Sequence, residues 1–439
     1  MLRAFRDAFV IPELRQRLIF TLVMLAFFRL GTFIPQPGVD IEKIRQFVAG
    51  PAGGIFNIIN LFSGGNFRNF SIFALGIMPY ITAAIIMQLL VTVVPSLEKL
   101  QREGEEGRRI IQQYTRIGGL VLAAFQALFL SVAFLESGNG QFLLPGWEPG
   151  WGFRFLVLVT QVAGTALLLW MGERITEFGI GNGVSLIIYA GIVANWMPQL
   201  LRMFGLMQQG ELSLLQVLFF FLFIVLAIAG MVAVTMAERR IPVQYARKVV
   251  GRRVYGGQST YLPIKLNAAN VIPIIFAAAI IQIPIFLTAP FRDNPVAQAI
   301  ANFFNPTTPT GLAIEVILVI LFTYIYTAVQ FDPKRIADNL REYGGFIPGV
   351  RPGEPTVKFL EHTISRLTLW GALFLGLVTA LPQIIMNITG VQAFSFSGIG
   401  LLIVVGVALD TLRQIESQLM LRNYEGFLSK GRIKGRSGF

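Results

Sequence analysis

Uncharged apolar runs long enough to cross a lipid bilayer recur along this chain from end to end, and about 20 residues suffice for one helical crossing. Ten are readable, roughly at residues 18–35, 70–94, 114–135, 153–171, 183–204, 213–237, 269–289, 312–331, 366–386 and 397–414. They do not alternate polar and apolar residues as the strands of a transmembrane barrel must. The chain therefore reads as all-α, a polytopic membrane protein of ten helices. Only 14% of its 439 residues are charged, too few to cover a soluble surface of this size.

Charge sets the orientation. With the ten spans threaded, 29 of the 36 Lys and Arg share the side of the N-terminus, leaving Arg29, Lys43, Arg45, Arg68, Arg154, Arg202 and Arg292 on the other. Cytoplasmic loops carry such an excess, so both termini are expected in the cytoplasm. The net charge of +12 is first a mark of those loops and only second a hint of nucleic acid or anionic lipid. Residues 1–17 read as a short amphipathic segment on the inner surface. Two inner stretches stand out: 238–268 carries seven Lys and Arg, and 332–366 carries six. They serve either as topology signals or as a docking surface for an anionic or large cytoplasmic partner. Ten spans divide into halves of five, 1–205 and 206–439, and an odd count inverts the second half relative to the first. That reading rests on the span count, since no repeat is visible residue by residue.

Several chemistries find no residues to carry them. There is no Cys and a single His, His362, so neither a metal cluster nor a His-based catalytic triad is expected. Ion-coupled transporters place ionisable groups at bilayer depth. Here Arg29, Glu173, Glu177, Glu315 and Asp410 all fall toward span ends or turns. A small-molecule secondary transporter is thus the weaker alternative, and an enzyme weaker still. Gly179-Ile-Gly-Asn-Gly183 looks like a nucleotide loop but does not follow a strand inside a βαβ unit, so it fails its context. No cofactor is called for. Arg outnumbers Lys and Cys is absent, a hint of a thermophilic source.

Residues 46–67 are uncharged yet make a poor span, because Gly50, Pro51, Gly53, Gly54, Ser63, Gly64 and Gly65 interrupt them. Within Ile55-Phe56-Asn57-Ile58-Ile59-Asn60-Leu61-Phe62, the residues Ile55, Ile58, Ile59 and Phe62 fall on one helical face. Ser63-Gly64-Gly65 then breaks the helix. This is either an external loop with one amphipathic turn or a segment at membrane depth. At that depth its bare backbone survives only inside protein or beside a water-filled cavity.

Two long stretches carry a family resemblance. One is Ser71-Ile-Phe-Ala-Leu-Gly-Ile-Met-Pro-Tyr80, continuing to Leu90; the other is Leu169-Trp-Met-Gly-Glu-Arg-Ile-Thr-Glu-Phe-Gly-Ile-Gly-Asn-Gly183, continuing to Ile188. Gly251-Arg-Arg-Val-Tyr255, Gln258-Ser-Thr260, Asp338-Asn-Leu340 and Pro348-Gly-Val-Arg-Pro-Gly-Glu354 add to it. In kind and order these resemble the SecY family of Sec protein translocons, over about Leu14 to Gly426.

The resemblance implies a passive protein-conducting channel of the general secretory pathway, multi-pass in the cytoplasmic (inner) membrane. Its pore ring would be Ile77, Ile81, Ile188, Ile275 and Ile403, which spacing alone would never select. A narrow ring of branched apolar side chains blocks leakage by dewetting. The segment Ile55 to Gly65 would be the plug, with Gly64 and Gly65 as its hinge. Spans two and seven would form a lateral gate with Pro79, Gln88, Pro273 and Ile275, the prolines bending their helices. Arg247, Lys248, Arg252, Arg253, Arg351 and Lys358 would dock the ribosome, through its RNA, and the motor ATPase SecA. SecE and SecG would complete the complex. Signal peptides, nascent polypeptides and membrane lipids would be its other partners.

Overall fold

Lipid offers backbone groups no hydrogen bonds, so apolar runs become helices that satisfy themselves internally. The computed structural model describes residues 11–49, 63, 65–136, 140–245, 248–250, 253–255, 259–288, 294–305, 308–389 and 398–430. The N-terminal helices are α1 (Pro12–Gly31), α2 (Ile41–Ala49), α3 (Met78–Val93) and α4 (Pro95–Arg102). Then come α5 (Glu105–Leu130), which ends in a π-helical turn (Ser131–Leu135), α6 (Trp151–Phe178), α7 (Gly183–Gln208) and α8 (Leu214–Met236). Four short strands follow: β1 (Glu238–Tyr245), β2 (Lys248–Val250), β3 (Arg253–Tyr255) and β4 (Ser259–Lys265). The chain continues through α9 (Ile272–Thr288), α10 (Pro295–Phe304), α11 (Pro309–Gln330), α12 (Pro333–Glu342), β5 (Gly345–Phe346), α13 (Glu354–Thr389) and α14 (Gly398–Lys430).

Each expected span meets a helix, so the all-α, ten-span membrane fold holds. Six helices, α6, α7, α8, α11, α13 and α14, are long and apolar enough to cross alone. The other spans are α1, α3, α5 with its π turn, and α9. Large apolar side chains such as Phe27, Phe125, Phe155, Leu218 and Trp370 stand exposed on these helices, an arrangement suited to lipid.

Local chemistry fixes the starts. Ser213 and Gln216 form a capping box on α8, the Ser213 side chain accepting from the Gln216 amide. Asn294, Thr308 and Asp332 cap α10, α11 and α12 through their side chains, each followed by a Pro in the first turn. There the missing N–H costs nothing. Pro79 and Pro273 are explained the same way. They were expected to bend spans two and seven from inside, but α3 starts at Met78 and α9 at Ile272. Both sit in first turns. The prolines within helices are Pro198 in α7, Pro284 in α9 and Pro382 in α13.

The helices sort into two compact units. One comprises residues 1–87, 108–197 and 403–439; the other comprises 88–107 and 198–402. The division at 197/198 falls at the proline of α7. Residues 88–107 go with the second unit, and α14 from Ile403 goes with the first.

The first unit has an aromatic core. Phe67, Phe70, Phe134, Phe142 and Phe153 are buried with Ala123, Ala127 and Val157. Phe134 stacks on Phe142 with centroids 4.8 Å apart, and Phe67 meets Phe70 edge-on at 5.6 Å.

In the second unit the two basic stretches are not loops. β1 pairs antiparallel with β4 from Glu238↔Lys265 to Gln244↔Ser259, and β5 adds to its other edge through Gln244↔Phe346 and Tyr245↔Gly345. β2 and β3 form a separate hairpin, Lys248↔Tyr255 to Val250↔Arg253. Ile241, Val243 and Ile264 point inward, and Ala337, Ile347, Leu360 and Ile364 complete the core around Ile241 and Ile264. The sheet thus binds the stretch after span six to the stretch after span eight.

Candidate channel elements and the basic sheet

The chain enters span two through a buried segment that is not helical. Between Gly65 and α3 the backbone makes turns, with Phe70 at φ +38°, a left-handed conformation costly for a bulky residue. An added Cβ on Gly65 (φ +85°) would overlap the Asn195 side chain of α7. Two backbone bonds fasten the segment to the stretch after α1: the Gln36 amide donates to the Phe70 carbonyl at 2.8 Å, and the Ile72 amide to the Ile34 carbonyl at 3.0 Å.

Of the expected plug, Ser63 and Gly65 lie among the described residues; Ile55 to Phe62 and Gly64 lie outside them. The Ser63 hydroxyl oxygen accepts from the Phe67 amide at 3.1 Å, so the break after the expected helix has its own turn.

The five isoleucines expected in the pore ring divide between the units. Ile77 is buried in a core with Phe28, Phe73, Leu168, Ile175 and Ile187, and Ile81, one turn later on α3, packs against the same core. Ile188 on α7 is half-buried, whereas its neighbour Ile187 is the one inside that core. Ile403 is buried near the start of α14. Ile275 is half-buried in the first turn of α9, in the second unit. Among the described residues the structure joins Ile77 with Ile81 and leaves the other three outside that core. Of the residues expected at the gate, Gln88 lines a mostly apolar cleft with Leu89, Phe276, Phe322 and Tyr326. The Phe276 and Phe322 rings stack at 5.3 Å. Gln88 and Leu89 of α3 thus line the same cleft as Phe276 of α9.

Four amides of the glycine loop 179–183 have partners within the protein, the Gly179 amide donating to the Ile175 carbonyl. Ile180 N–H donates to the Thr21 hydroxyl of α1 at 3.1 Å, and Gly183 N–H donates to the Thr176 hydroxyl at 2.9 Å. Gly181 N–H donates to the Gln414 side chain of α14. Ile180 itself is buried with Leu14 and Ile415. The loop ties α1 and α14 to the turn between α6 and α7.

The docking candidates belong to the sheet and its surroundings. Lys248 and Arg253 lie on the β2–β3 hairpin; Arg247 and Arg252 lie outside the described residues. Arg351 and Lys358 are exposed at the start of α13, in the second unit. The Arg351 carbonyl accepts from the Thr356 hydroxyl at 2.9 Å, which fixes the backbone and leaves the guanidinium in solvent. Sequence reasoning missed the sheet that links these stretches. Its signal was the alternation of Ile241 and Val243 against Leu262 and Ile264 within a strongly basic context.

Comparison with known proteins agrees with this arrangement. A SecY family profile matches residues 71–412. The protein translocase subunit SecY of Thermus thermophilus is 76% identical over 437 residues, covering 100% of both chains, and its source fits the Arg-rich, Cys-free composition. Among solved structures, a SecY protein whose plug domain stabilises the closed state of the translocation channel matches with TM-score 0.64 at 21% identity. That match covers 96% of this chain and 95% of the other. Canine Sec61 from a ribosome–channel complex of the endoplasmic reticulum matches with TM-score 0.61 at 19% identity, over 96% and 95%. From its paired signature stretches to its full-length kinship with a translocase subunit, the chain belongs to the SecY family of protein-conducting channels.

Proposed function

We propose that this channel works as a sealed, passive conduit with three moving parts, and that no covalent chemistry takes place in it. Segment 55–65 is the plug. Ile77, Ile81, Ile188, Ile275 and Ile403 form the ring that excludes water when the pore is empty. Spans two and seven, with Pro79, Gln88, Pro273 and Ile275, form the side door. A segment in the pore samples water and lipid. Each central Leu, Ile, Phe or Val favours lipid by about 0.3–0.6 kcal/mol, and each Asp, Lys or Arg opposes it by about 2.5–3.5 kcal/mol. Apolar segments of about 20 residues therefore leave sideways, and polar chains pass through.

The observation that carries this reading is the buried, non-helical stretch from Gly65 to Ile77 ahead of span two. Irregular backbone of this kind in a membrane protein belongs inside protein or beside a cavity. The SecY relative with a sealing plug domain supports the same assignment. We place both termini and the β-sheet in the cytoplasm, on the strength of the charge bias, in the cytoplasmic membrane. There the basic sheet faces the ribosome and its RNA, or SecA, through Arg247, Lys248, Arg252, Arg253, Arg351 and Lys358. SecE and SecG are the expected membrane partners, and the two five-span halves, 1–205 and 206–439, the inverted repeats. The Sec61 relative in a ribosome–channel complex supports the ribosome as a partner.

Ion conductance of the purified complex in planar bilayers tests the reading. A silent intact complex and a leaky complex lacking residues 55–65 are expected. Silence in both would mean that residues 55–65 are not the seal.

A further inference from the structure

The segment between plug and gate helix is held on its other side by one buried side chain of α6. Gln161 is completely buried. Its amide nitrogen donates to the Gln36 side-chain oxygen at 3.0 Å and to the Ser71 carbonyl at 3.1 Å. Its oxygen accepts from the Leu75 amide at 3.4 Å. One turn further along α6, the Thr165 hydroxyl donates to the Gly76 carbonyl at 3.4 Å. Between them lies Gly164, where an added Cβ would overlap the Ile72 carbonyl oxygen. Gln161, Gly164, Thr165 and the buried Leu168 share one face of α6 by their spacing of three, four and seven residues.

This face does for 71–76 what a helix or sheet ladder does elsewhere: it supplies partners to backbone groups that have left regular structure. The device differs from a ladder in one respect. On the α6 side few side-chain bonds carry it, and they act beside a strained residue, Phe70. A short polar contact set opposing backbone strain makes the segment's conformation depend on those few bonds.

We propose that Gln161 is a positioning residue that latches the plug-to-gate segment, so that its three hydrogen bonds bias the empty channel toward the sealed state. The latch acts through residues 71–75 on the plug before them and on α3 after them. It rests on the reading of 55–65 as the seal.

Planar-bilayer recordings on the purified full-length complex decide it. Gln161→Met keeps the side-chain length and removes all three bonds. Gln36→Met removes one, and so survives as a probe if Gln161→Met fails to assemble. Val159→Leu changes an exposed side chain on the same helix. The expected result is leak without substrate at least about tenfold above the intact complex for Gln161→Met, a smaller rise for Gln36→Met, and none for Val159→Leu. Deletion of 55–65 runs alongside. If the deletion leaks while Gln161→Met and Gln36→Met stay silent, with melting lowered or not, Gln161 is merely structural and the latch is wrong. If the deletion is silent as well, the seal reading fails, and the latch with it.

Discussion

Gly183 lies against Gly172 so closely that a Cβ on Gly183 would overlap the Gly172 carbonyl oxygen. The turn between α6 and α7 therefore brings backbone to backbone, which is why position 183 of the second signature stretch needs glycine. Gly183→Ala should destabilise the complex by about 1–3 kcal/mol through overpacking. Gly205→Ala, on the same helix where an added Cβ meets nothing, should be neutral or stabilising by up to about 1 kcal/mol. Thermal melting of the two variants in detergent checks the difference. Equal melting temperatures would refute the close-approach argument.

The same turn is anchored at Ile180 and Gly181 by Thr21 and Gln414. Thr21→Val and Gln414→Leu each leave an amide without its acceptor, a loss of about 1–3 kcal/mol. Hydrogen exchange over residues 176–186 should quicken in both variants, and more in the double variant. Unchanged protection in the double variant would mean that α1 and α14 do not hold the loop.

Arg154 and Glu136 form a two-pronged ion pair, with Nη2 2.7 Å from Oε2 and Nε 3.0 Å from Oε1. The Glu136 side chain is 7% exposed and that of Arg154 26%. Arg154 also stands 5.1 Å from the Trp151 ring. Removing the arginine strands a buried carboxylate, whereas Glu136→Gln leaves a half-exposed guanidinium with a neutral acceptor. Arg154→Met should therefore lower the melting temperature more than Glu136→Gln does. Equal melting points for the pair of variants would sink this asymmetry.

The ten helices were legible because lipid makes apolar length nearly sufficient for a span. The edges were less so. α13 runs from Glu354, twelve residues before the expected span, because Leu360 and Ile364 give its charged N-terminal part a second core beneath the sheet. The sheet itself hid behind charge: β1 offers only Ile241 and Val243 as an inward pair among Arg239, Arg240 and Gln244. The prolines at 79 and 273 were visible, but their first-turn positions depended on where each helix began. Gln161 was unreadable for a deeper reason. A polar residue within a span announces a partner without naming it, and its partners here lie 86 to 125 residues away.

Arg351 tests whether the basic sheet docks by charge. Its backbone is pinned by the Thr356 hydroxyl, Gly353 follows at φ +100°, and its side chain is exposed. Arg351→Glu therefore changes local charge by two with little effect on the core, and melting should stay within about 0.5 kcal/mol of the parent. If the sheet meets phosphates of ribosomal RNA, losing one cation lowers affinity for ribosomes and reduces the salt slope of binding by about 1. Asp332→Ala perturbs the fold of the same region without removing a cation. It removes the cap that the Asp332 carboxylate gives to the Lys334 and Arg335 amides, costing about 1 kcal/mol of stability, and leaves every basic residue in place. Ribosome and SecA binding to vesicles carrying each complex, titrated with salt, reads both effects. Arg351→Glu should weaken binding and flatten the slope, whereas Asp332→Ala should keep the slope. Unchanged affinity and slope for both partners in Arg351→Glu would place the docking surface elsewhere and leave the positive charge as a topology signal alone.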